Sequence, residues 1–236
     1  MKRVLATLVS LIWIGSVLFA GSFSIKPLRI DLSSDKKTDM LSVRNMSEHS
    51  MIIQLDLVSW DQKGGTDHYT PTHALIAVPS IFEIKPGASQ TIRIGLRKMD
   101  RYEREAAYRL YLREVPSKMD LQSGRVNVVL RIGIPIFVKP RKKSGPILTW
   151  EATCSEQKTL VLRARNTGNA HIKVMEIAVD NLDAKKPIVR KMLSYILSGK
   201  ERSWSFPTYK CPKLGTKLKL SVLTDIGRIH AKPVAK

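Results

Sequence analysis

Residues Val126 to Pro140 read Val-Asn-Val-Val-Leu-Arg-Ile-Gly-Ile-Pro-Ile-Phe-Val-Lys-Pro, and this is the most informative stretch of the chain. Successive side chains of a strand point to opposite faces, so every second residue lies on the same face. One face is therefore an unbroken aliphatic row, formed by Val126, Val128, Leu130, Ile132, Ile134 and Ile136. Pro135 lies inside the run and cannot donate to a sheet ladder, which predicts a strand at the edge of a sheet.

An apolar edge strand is unusual because unpaired strands invite other chains, and proteins normally blunt such edges. A protein that keeps one can use it to bind a partner by strand addition, a recognition mode that includes pilin donor-strand complementation. The alternative is a core strand that the protein's own second sheet covers. The segment alone supports both interpretations.

The N-terminal segment is typical of a secretory signal. Lys2 and Arg3 precede an uncharged run, Val4 to Ala20, that ends in small residues. Residues 1–22 are predicted to be the signal peptide, with Phe23 as the mature start; cleavage after Ala20 and an uncleaved anchor are the alternatives. No later segment is long and apolar enough to span a membrane, so no stable membrane insertion is expected after cleavage.

Cys154 and Cys211 are the two cysteines of the chain, and both lie in its C-terminal half. An exported protein enters an oxidising compartment, which favours a structural disulfide between them. The chain-entropy model gives a loop of this length about 4 kcal/mol of stabilisation. Two cysteines alone do not form a metal site, so no metal is expected.

The formal charge of +20 is unevenly distributed. Residues 23–140 hold 18 basic and 13 acidic residues, whereas residues 141–236 hold 20 and 7. A basic face can bind nucleic acid, a membrane or an acidic partner. Aromatic residues are sparse and the basic residues are scattered, so a solvated surface is favoured and no nucleic acid is expected.

Short alternating runs separated by turn residues dominate the chain, which predicts an all-β protein. The predicted strands before residue 140 are Phe23–Leu32, Met40–Arg44, Met51–Trp60, Ile81–Ile84, Gln90–Leu96, Tyr108–Val115 and Val126–Val138. Those after it are Thr159–Arg165, Ile172–Val179, Ile188–Leu193, Ser203–Phe206, Leu218–Leu223 and Arg228–Ala231. Seven strands in about a hundred residues are typical of an immunoglobulin-like sandwich. We therefore predict two such domains, residues 23–140 and 147–236, joined by a short basic linker, 141–146. Arg101–Ala107 is predicted as a polar, helix-like turn.

The sequence offers no catalytic constellation. The five histidines, His49, His68, His73, His171 and His230, lack both metal-ligand spacing and a carboxylate or cysteine partner on the same face. There is no Gly-x-Ser-x-Gly elbow and no phosphate-binding glycine loop. Neither an enzyme nor a cofactor is expected.

In order and spacing, several segments together resemble the periplasmic pilus-assembly chaperones of the chaperone–usher family. They are Ser22–Ile30, Ile84–Gly87 before a strand ending Arg93-Ile94, Tyr108–Pro116, Val126–Pro140 and Asn166–His171. The resemblance implies two immunoglobulin-like domains set at an angle, a periplasmic location, and fimbrial subunits and an outer-membrane usher as partners. It also implies that the last strand of the first domain complements a subunit that lacks a strand. On this hypothesis Val126, Val128, Leu130, Ile132 and Ile134 are the donor residues, while Val129 and Phe137 face the protein's own sandwich.

The resemblance further implies two basic residues that bind the carboxylate at the end of the subunit's chain. Arg29 matches the first position, and a guanidinium suits a carboxylate because it can donate two parallel bonds. Pro135 stands where the family has a lysine; Arg131 could replace it, and the surrounding Arg-x-Gly-Ile-Pro-Ile-Phe resembles the archaic branch. Glu105, Lys139 and Asp225 match an ion cluster that fixes the orientation of the domains.

Two other functions compete with this hypothesis. A secreted sandwich module, such as an adhesin or a fimbrial subunit, would have the same strand pattern, although a subunit should be a single incomplete sandwich with a donor extension. A binder of anionic polymers would explain the basic C-terminal half, and steeply salt-dependent retention on heparin would support it.

Overall fold

The computed structural model describes residues 23–97, 103–116, 129–142, 145–155, 159–180, 187–208 and 211–236. Over these residues the protein is all-β and forms two immunoglobulin-like sandwiches, as the alternating pattern predicts. The signal segment and the donor positions Val126 and Val128 lie outside the described residues. Within the described part of the chain, no helix is long and apolar enough to cross a membrane.

The N-terminal sandwich has two sheets, in the orders β1-β3-β8-β6 and β2-β10-β9-β4-β5, with β7 added to β4. Its strands are β1 (Phe23–Lys26), β2 (Ile30–Leu32), β3 (Thr38–Asn45), β4 (Met51–Lys63), β5 (Thr66–Pro71), β6 (Leu75–Val78), β7 (Ile81–Ile84), β8 (Ser89–Leu96), β9 (Ala106–Val115) and β10 (Arg131–Val138).

The C-terminal sandwich consists of a three-stranded sheet, β11-β12-β15, and a four-stranded sheet, β14-β13-β16-β17. Its strands are β11 (Leu148–Cys154), β12 (Thr159–Asn166), β13 (Ile172–Asp180), β14 (Ile188–Ile196), β15 (Glu201–Pro207), β16 (Lys219–Thr224) and β17 (Gly227–Ala231). Cys154 and Cys211 are joined by a disulfide, as predicted.

Period-two alternation creates each core, because inward residues of facing sheets pack against one another. In β12, for example, Leu160, Leu162 and Ala164 are fully buried while Arg163 and Arg165 on the opposite face are exposed. The two sandwiches have separate hydrophobic cores.

The predicted first strand, Phe23–Leu32, is wrong as a single element. Pro27 lies where the chain leaves one sheet, so that β1 pairs with β3 and β2 pairs with β10 in the opposite sheet. A proline cannot donate to a ladder, which is why the pairing stops there. The prediction also missed β5, β6 and β11, and the turn predicted at Arg101–Ala107 is wrong at its end because Ala106 and Ala107 begin β9.

The aliphatic row of β10 faces the protein's own core, contrary to the sequence-based expectation. Ile134 is paired with Leu110 of β9, and Ile132 with Leu112. Cross-strand partners lie on the same face, and both leucines are fully buried. Ile134 is therefore only 2% exposed, whereas Ile132 and Leu130 lie partly buried at the rim of the core.

The opposite face of β10 points away from that core, which corrects the expectation for Val129 and Phe137. Val129 is 43% exposed. Phe137 is buried in a separate cluster between the two sandwiches, with Trp60 of β4 and Leu197 of the turn after β14. This face carries Arg131 and Gly133, neither of which can fill a hydrophobic core.

Polar contacts also join the two sandwiches beside this aromatic cluster. Gln62, which is 3% exposed, donates to the carbonyl oxygen of Tyr195 and accepts a bond from the backbone N–H of Leu197. On the neighbouring hairpin strand, Asp67 forms an ion pair with Arg202. The oxygen and the nitrogen of the buried Gln62 amide thus both have hydrogen-bond partners, as buried polar groups require.

Candidate functional site

The most distinctive surface of the molecule is the edge of β10. On one side β10 pairs with β9 along its full length, but on the other it pairs only through residues 136–138, with the short parallel strand β2. Among the described residues, no strand occupies the second side of Arg131–Pro135. We call this segment the open edge, and it confirms the edge position that Pro135 predicts.

Two hydrogen bonds show which peptide groups the open edge presents. Glu114 of β9 donates its backbone N–H to the carbonyl of Leu130. Lys139 donates its backbone N–H to the carbonyl of Leu32 in β2. Since bonding direction alternates along a strand, even-numbered residues of β10 bond to β9 and odd-numbered ones point to the other side. Arg131 and Gly133 therefore offer N–H and C=O groups at the open edge, whereas Pro135 offers only its carbonyl.

The open edge ends where β2 begins. Ile136 pairs with Ile30 in parallel register, so Arg29, the residue before β2, lies level with Pro135. Arg109 of β9 is the cross-strand partner of Pro135 on its other side. Two arginines thus flank the proline in one row, with Cα atoms about 10 Å apart, which is two strand spacings.

The side chain of Arg109 lies in an aromatic cleft. Its guanidinium carbon is 4.3 Å from the ring centroid of Trp60 and 5.2 Å from that of Tyr69. Its Nε is buried and has no hydrogen-bond partner among the described residues. A buried donor without an acceptor is unfavourable, and the guanidinium places a positive charge beside Pro135.

Arg29 already binds carboxylates. Its Nε is 3.0 Å from Asp31 Oδ2, and its Nη1 is 3.4 Å from Asp225 Oδ2 of the C-terminal sandwich. The side chain is 44% exposed. Its guanidinium is therefore accessible and oriented toward acidic groups at the mouth of the cleft.

Arg131, the second basic residue suggested by the sequence, is not brought next to Arg29. It lies four residues before Pro135 on the same face, about 13 Å farther along the strand. Its guanidinium carbon is instead 3.9 Å from the ring centroid of Tyr111. Its role in binding a carboxylate stays a prediction.

Two tyrosines line the cleft as neutral donors. Burial raises the pKa of Tyr69 to about 12, although the charge of Arg109 opposes this rise. Burial likewise raises the pKa of Tyr195, with Arg29 opposing. Both hydroxyls stay protonated near neutral pH, so the positive charge of the cleft comes from its arginines.

The predicted ion cluster needs one correction, because His171 takes the central position expected for Lys139. His171 Nδ1 is 2.6 Å from Glu105 Oε1, and its Nε2 is 3.9 Å from Asp225 Oδ2. Lys139 follows the end of β10, where its exposed side chain has no ion-pair partner among the described residues. The histidine fits because its ring packs flat against Phe137 while both nitrogens face carboxylates.

Sequence reasoning missed Arg109 and His171. Arg109 alternates with Tyr108 and Leu110, so the pattern already placed it on the outward face of its strand, but nothing in the sequence gave the register that brings it beside Pro135. His171 was judged to lack a carboxylate partner. Glu105 lies 66 positions away and meets it across the interface, and Asp225 lies 54 positions away in the same sandwich.

Comparison with known families gives a match over the N-terminal sandwich. The family model for pili and flagellar-assembly chaperones, PapD N-terminal domain, matches residues 22–144, more than half of the chain. No curated protein sequence matches the chain.

Solved structures share the architecture over nearly the full chain. A chain of the CsuC–CsuE chaperone–tip adhesion pre-assembly complex, from the archaic Csu pili of Acinetobacter baumannii, is 18% identical with a TM-score of 0.68, covering 92% of this chain and 100% of that one. The E. coli chaperone DraB is 20% identical with a TM-score of 0.60, covering 89% and 98%. A chain of the Salmonella enterica complex of the SafA pilin with the SafB chaperone is 16% identical with a TM-score of 0.63, covering 89% of this chain and 96% of that one. At such identities the likeness establishes the fold.

Proposed function

Because this chain belongs to the family of pili and flagellar-assembly chaperones, we propose that it captures fimbrial subunits by donating the open edge of β10. The occupant would be a strand of the subunit that lies beside Arg131–Pro135, in line with β2. Strand addition of this kind supplies main-chain hydrogen bonds for affinity. The open edge is the observation that carries the proposal.

The geometry favours a bound strand parallel to β10. Such a strand and β2 lie end to end on the same side of β10, so the bound strand must stop before Ile136. Its last residue then falls beside Pro135, the one position of the open edge without an N–H group. In the parallel direction that residue carries the terminal carboxylate of the subunit, and Arg29 and Arg109 flank the place where it ends.

We propose Arg29 and Arg109 as the carboxylate anchor. Arg29 would exchange its contact with Asp225 for the terminal carboxylate of the subunit, and Arg109 would add its positive charge from the other side of Pro135. Charge-assisted bonds contribute about 1.5–3 kcal/mol each. An ionic contact at one end also fixes the register, which strand addition alone leaves free to slip by two residues.

The aliphatic row would act at the rim of the core. Leu130 and Ile132 are partly covered by the N-terminal sandwich, so an added strand would complete their burial and extend the core over them. Ile134 is already buried and would support the strand from within. Val126 and Val128, outside the described residues, are proposed to continue the donor row.

We also propose that the protein works in the periplasm and delivers its subunits to an outer-membrane usher. The segment Lys2–Ala20 is typical of export, and the disulfide Cys154–Cys211 suits an oxidising compartment. Delivery to an usher follows from the family and from no separate feature of this chain.

Affinity purification of the tagged protein from periplasm tests the proposal. The wild-type protein should elute with a near-stoichiometric fimbrial subunit, and a peptide of the N-terminal donor extension from that pilus should displace it. The Ile132→Lys variant should elute alone, whereas the matched Val129→Lys variant, on the opposite face, should retain the bound protein. Elution of folded wild-type protein without any fimbrial subunit would contradict the proposed function.

A further inference from the structure

A cavity of about 340 Å³ lies at the junction of the two sandwiches, and none of its lining residues belongs to the open edge. One wall is Arg104, in the segment before β9, and the others come from β12 and from turns of the C-terminal sandwich. No lining residue is acidic; the lining is Arg104, Arg165, Thr167, Ser198, Gly199 and Lys200. We propose that this cavity binds a phosphate group.

Arg104 is held in place by hydrogen bonds from one of its nitrogen atoms, and its other N–H groups are available to a ligand. Its Nη1 donates to the carbonyl of Gly168 at 3.4 Å and to Ser198 Oγ at 3.3 Å. An arginine has five N–H donors in a fixed planar arrangement, and no acceptor for its Nε or Nη2 is present among the described residues. A Cβ at Gly199 would lie 2.9 Å from Nη1, so this glycine leaves the space that the guanidinium occupies.

The C-terminal walls of the cavity are rigid because one buried asparagine organises them. Asn166, fully buried, donates its side-chain amide to the carbonyls of Ala170 and Ile196 and accepts from the backbone N–H of Gly168. Its main chain bonds both Gly199 and Lys200. Preorganised donors do not have to be ordered on binding, which favours affinity.

Acidic groups near the cavity limit which cations can attract a ligand. Lys200 Nζ is 2.6 Å from Asp61 Oδ1, so its charge is largely neutralised. Glu201 lies opposite Arg165 across the sheet, but no carboxylate lies within 4 Å of the Arg165 guanidinium among the described residues. Arg104 and Arg165 therefore supply most of the attraction.

A phosphate group fits this arrangement better than a carboxylate does. It carries up to two negative charges and three strong acceptor oxygens, and guanidinium groups recognise it through paired bonds. The hydroxyls of Thr167 and Ser198 already donate to the carbonyls of Ile147 and Gly168, so the guanidinium groups are the donors that remain for a ligand. Arg104 lines the cavity from the N-terminal sandwich and Arg165 from the C-terminal one, so one tetrahedral ligand can bridge them. The ligand is either free inorganic phosphate or the phosphate of a lipid headgroup, and the inference does not depend on the capture of fimbrial subunits.

Calorimetric titration with inorganic phosphate, at ionic strength held constant with chloride, tests the site. Arg165→Gln and Arg104→Gln should each weaken binding about tenfold or more, as expected for loss of a charge-assisted bond. Arg163→Gln is the matched control, because Arg163 is exposed on the same face of β12, two residues away, and does not line the cavity. Melting temperatures in chloride establish that each variant is folded.

Flotation with vesicles of phosphatidylglycerol, and of phosphatidylcholine for comparison, separates the two sources. Phosphate binding without flotation identifies free phosphate, and flotation on phosphatidylglycerol that Arg165→Gln abolishes identifies a headgroup. An equal loss in Arg163→Gln would show a diffuse basic surface and overturn the proposal. Absence of binding to both probes by the wild-type protein would overturn it as well.

Discussion

The ring of His171 in the C-terminal sandwich stacks on the ring of Phe137 in β10, with centroids 3.5 Å apart and planes 10° apart. The strand that presents the open edge is thereby packed directly against the second sandwich. Because His171 also lies between Glu105 of the N-terminal sandwich and Asp225 of its own sandwich, one side chain combines ring packing with a polar contact across the interface.

Replacing His171 with leucine should loosen the interface while leaving both cores folded. The change removes the ring partner of Glu105, whose side chain is only 4% exposed, and leaves it the backbone N–H of residue 171. Loss of a hydrogen bond to a charged group costs about 1.5–3 kcal/mol. Small-angle scattering should show a wider distribution of shapes, with circular dichroism unchanged. His171→Gln, which keeps a side-chain donor, should recover part of the effect. Unchanged scattering for the leucine variant would mean that the contact does not fix the domains.

Lysine substitutions along β10 should separate binding from folding. Leu130→Lys and Ile132→Lys lie at the rim, so they should abolish the capture of fimbrial subunits and lower stability by about 1–2 kcal/mol at most, since burial there is partial. Ile134→Lys places a charge in a site that is 2% exposed and should unfold the N-terminal sandwich. Thermal unfolding and co-purification with fimbrial subunits measure both effects. Unfolding of all three variants would show that the row serves only the core.

The carboxylate anchor can be isolated by a double-mutant cycle. Arg29→Ala and Arg109→Ala should each weaken binding of the fimbrial subunit by about 1.5–3 kcal/mol, and amidation of its terminal carboxylate should weaken wild-type binding by a similar amount. Amidation should add little to either arginine variant, because coupled groups are not additive. Arg29→Lys should recover binding only in part, since the planar fork is lost.

The same cycle with Arg131→Ala tests whether Arg131, which the sequence suggested as the second carboxylate-binding residue, contacts the carboxylate. Arg131 stacks on Tyr111 about 13 Å along the strand from Arg29, so its variant should lose the same affinity whether or not the bound carboxylate is amidated. Additive losses for Arg29 as well would show that neither residue holds the carboxylate.

Asp67 should make stability depend on acid pH. Burial alone raises the pKa of this carboxyl, but the hydrogen bond from Gln62 and the charge of Arg202 together outweigh it and lower the pKa. A carboxyl with a lowered folded-state pKa contributes stability above its unfolded value, about 3.9, and loses that contribution as pH falls through the lower folded value. Asp67→Asn should therefore cost about 1 kcal/mol at pH 7. Denaturant unfolding from pH 7 to 2 should show this difference shrinking.

The disulfide should stabilise the C-terminal sandwich specifically. Replacing Cys154 and Cys211 with serine should lower its free energy of unfolding by about 2–4 kcal/mol, with the N-terminal sandwich unchanged. Alkylation without reductant, followed by mass spectrometry, should find no free thiol in the wild-type protein. Two alkylated cysteines would contradict the bond.

The aliphatic row of β10 shows how far sequence reasoning reaches. Alternation alone predicted the strand, and Pro135 alone predicted an edge, because both follow from the backbone geometry of one segment. The direction in which the row faces was predicted wrongly. Either face of a strand can be turned inward, and only the pairing of Ile134 with buried Leu110 decides which one is.

The two sandwiches, the export signal and the pairing of the two cysteines could be predicted from the sequence, since each prediction rests on local pattern or on composition. Tertiary structure alone decided that Arg109 stands beside Pro135, that His171 replaces Lys139 between Glu105 and Asp225, and that β2 ends the open edge. These relationships depend on register and on contacts between residues far apart in the chain. Alternation repeats every two residues and therefore leaves the register of distant strands undetermined.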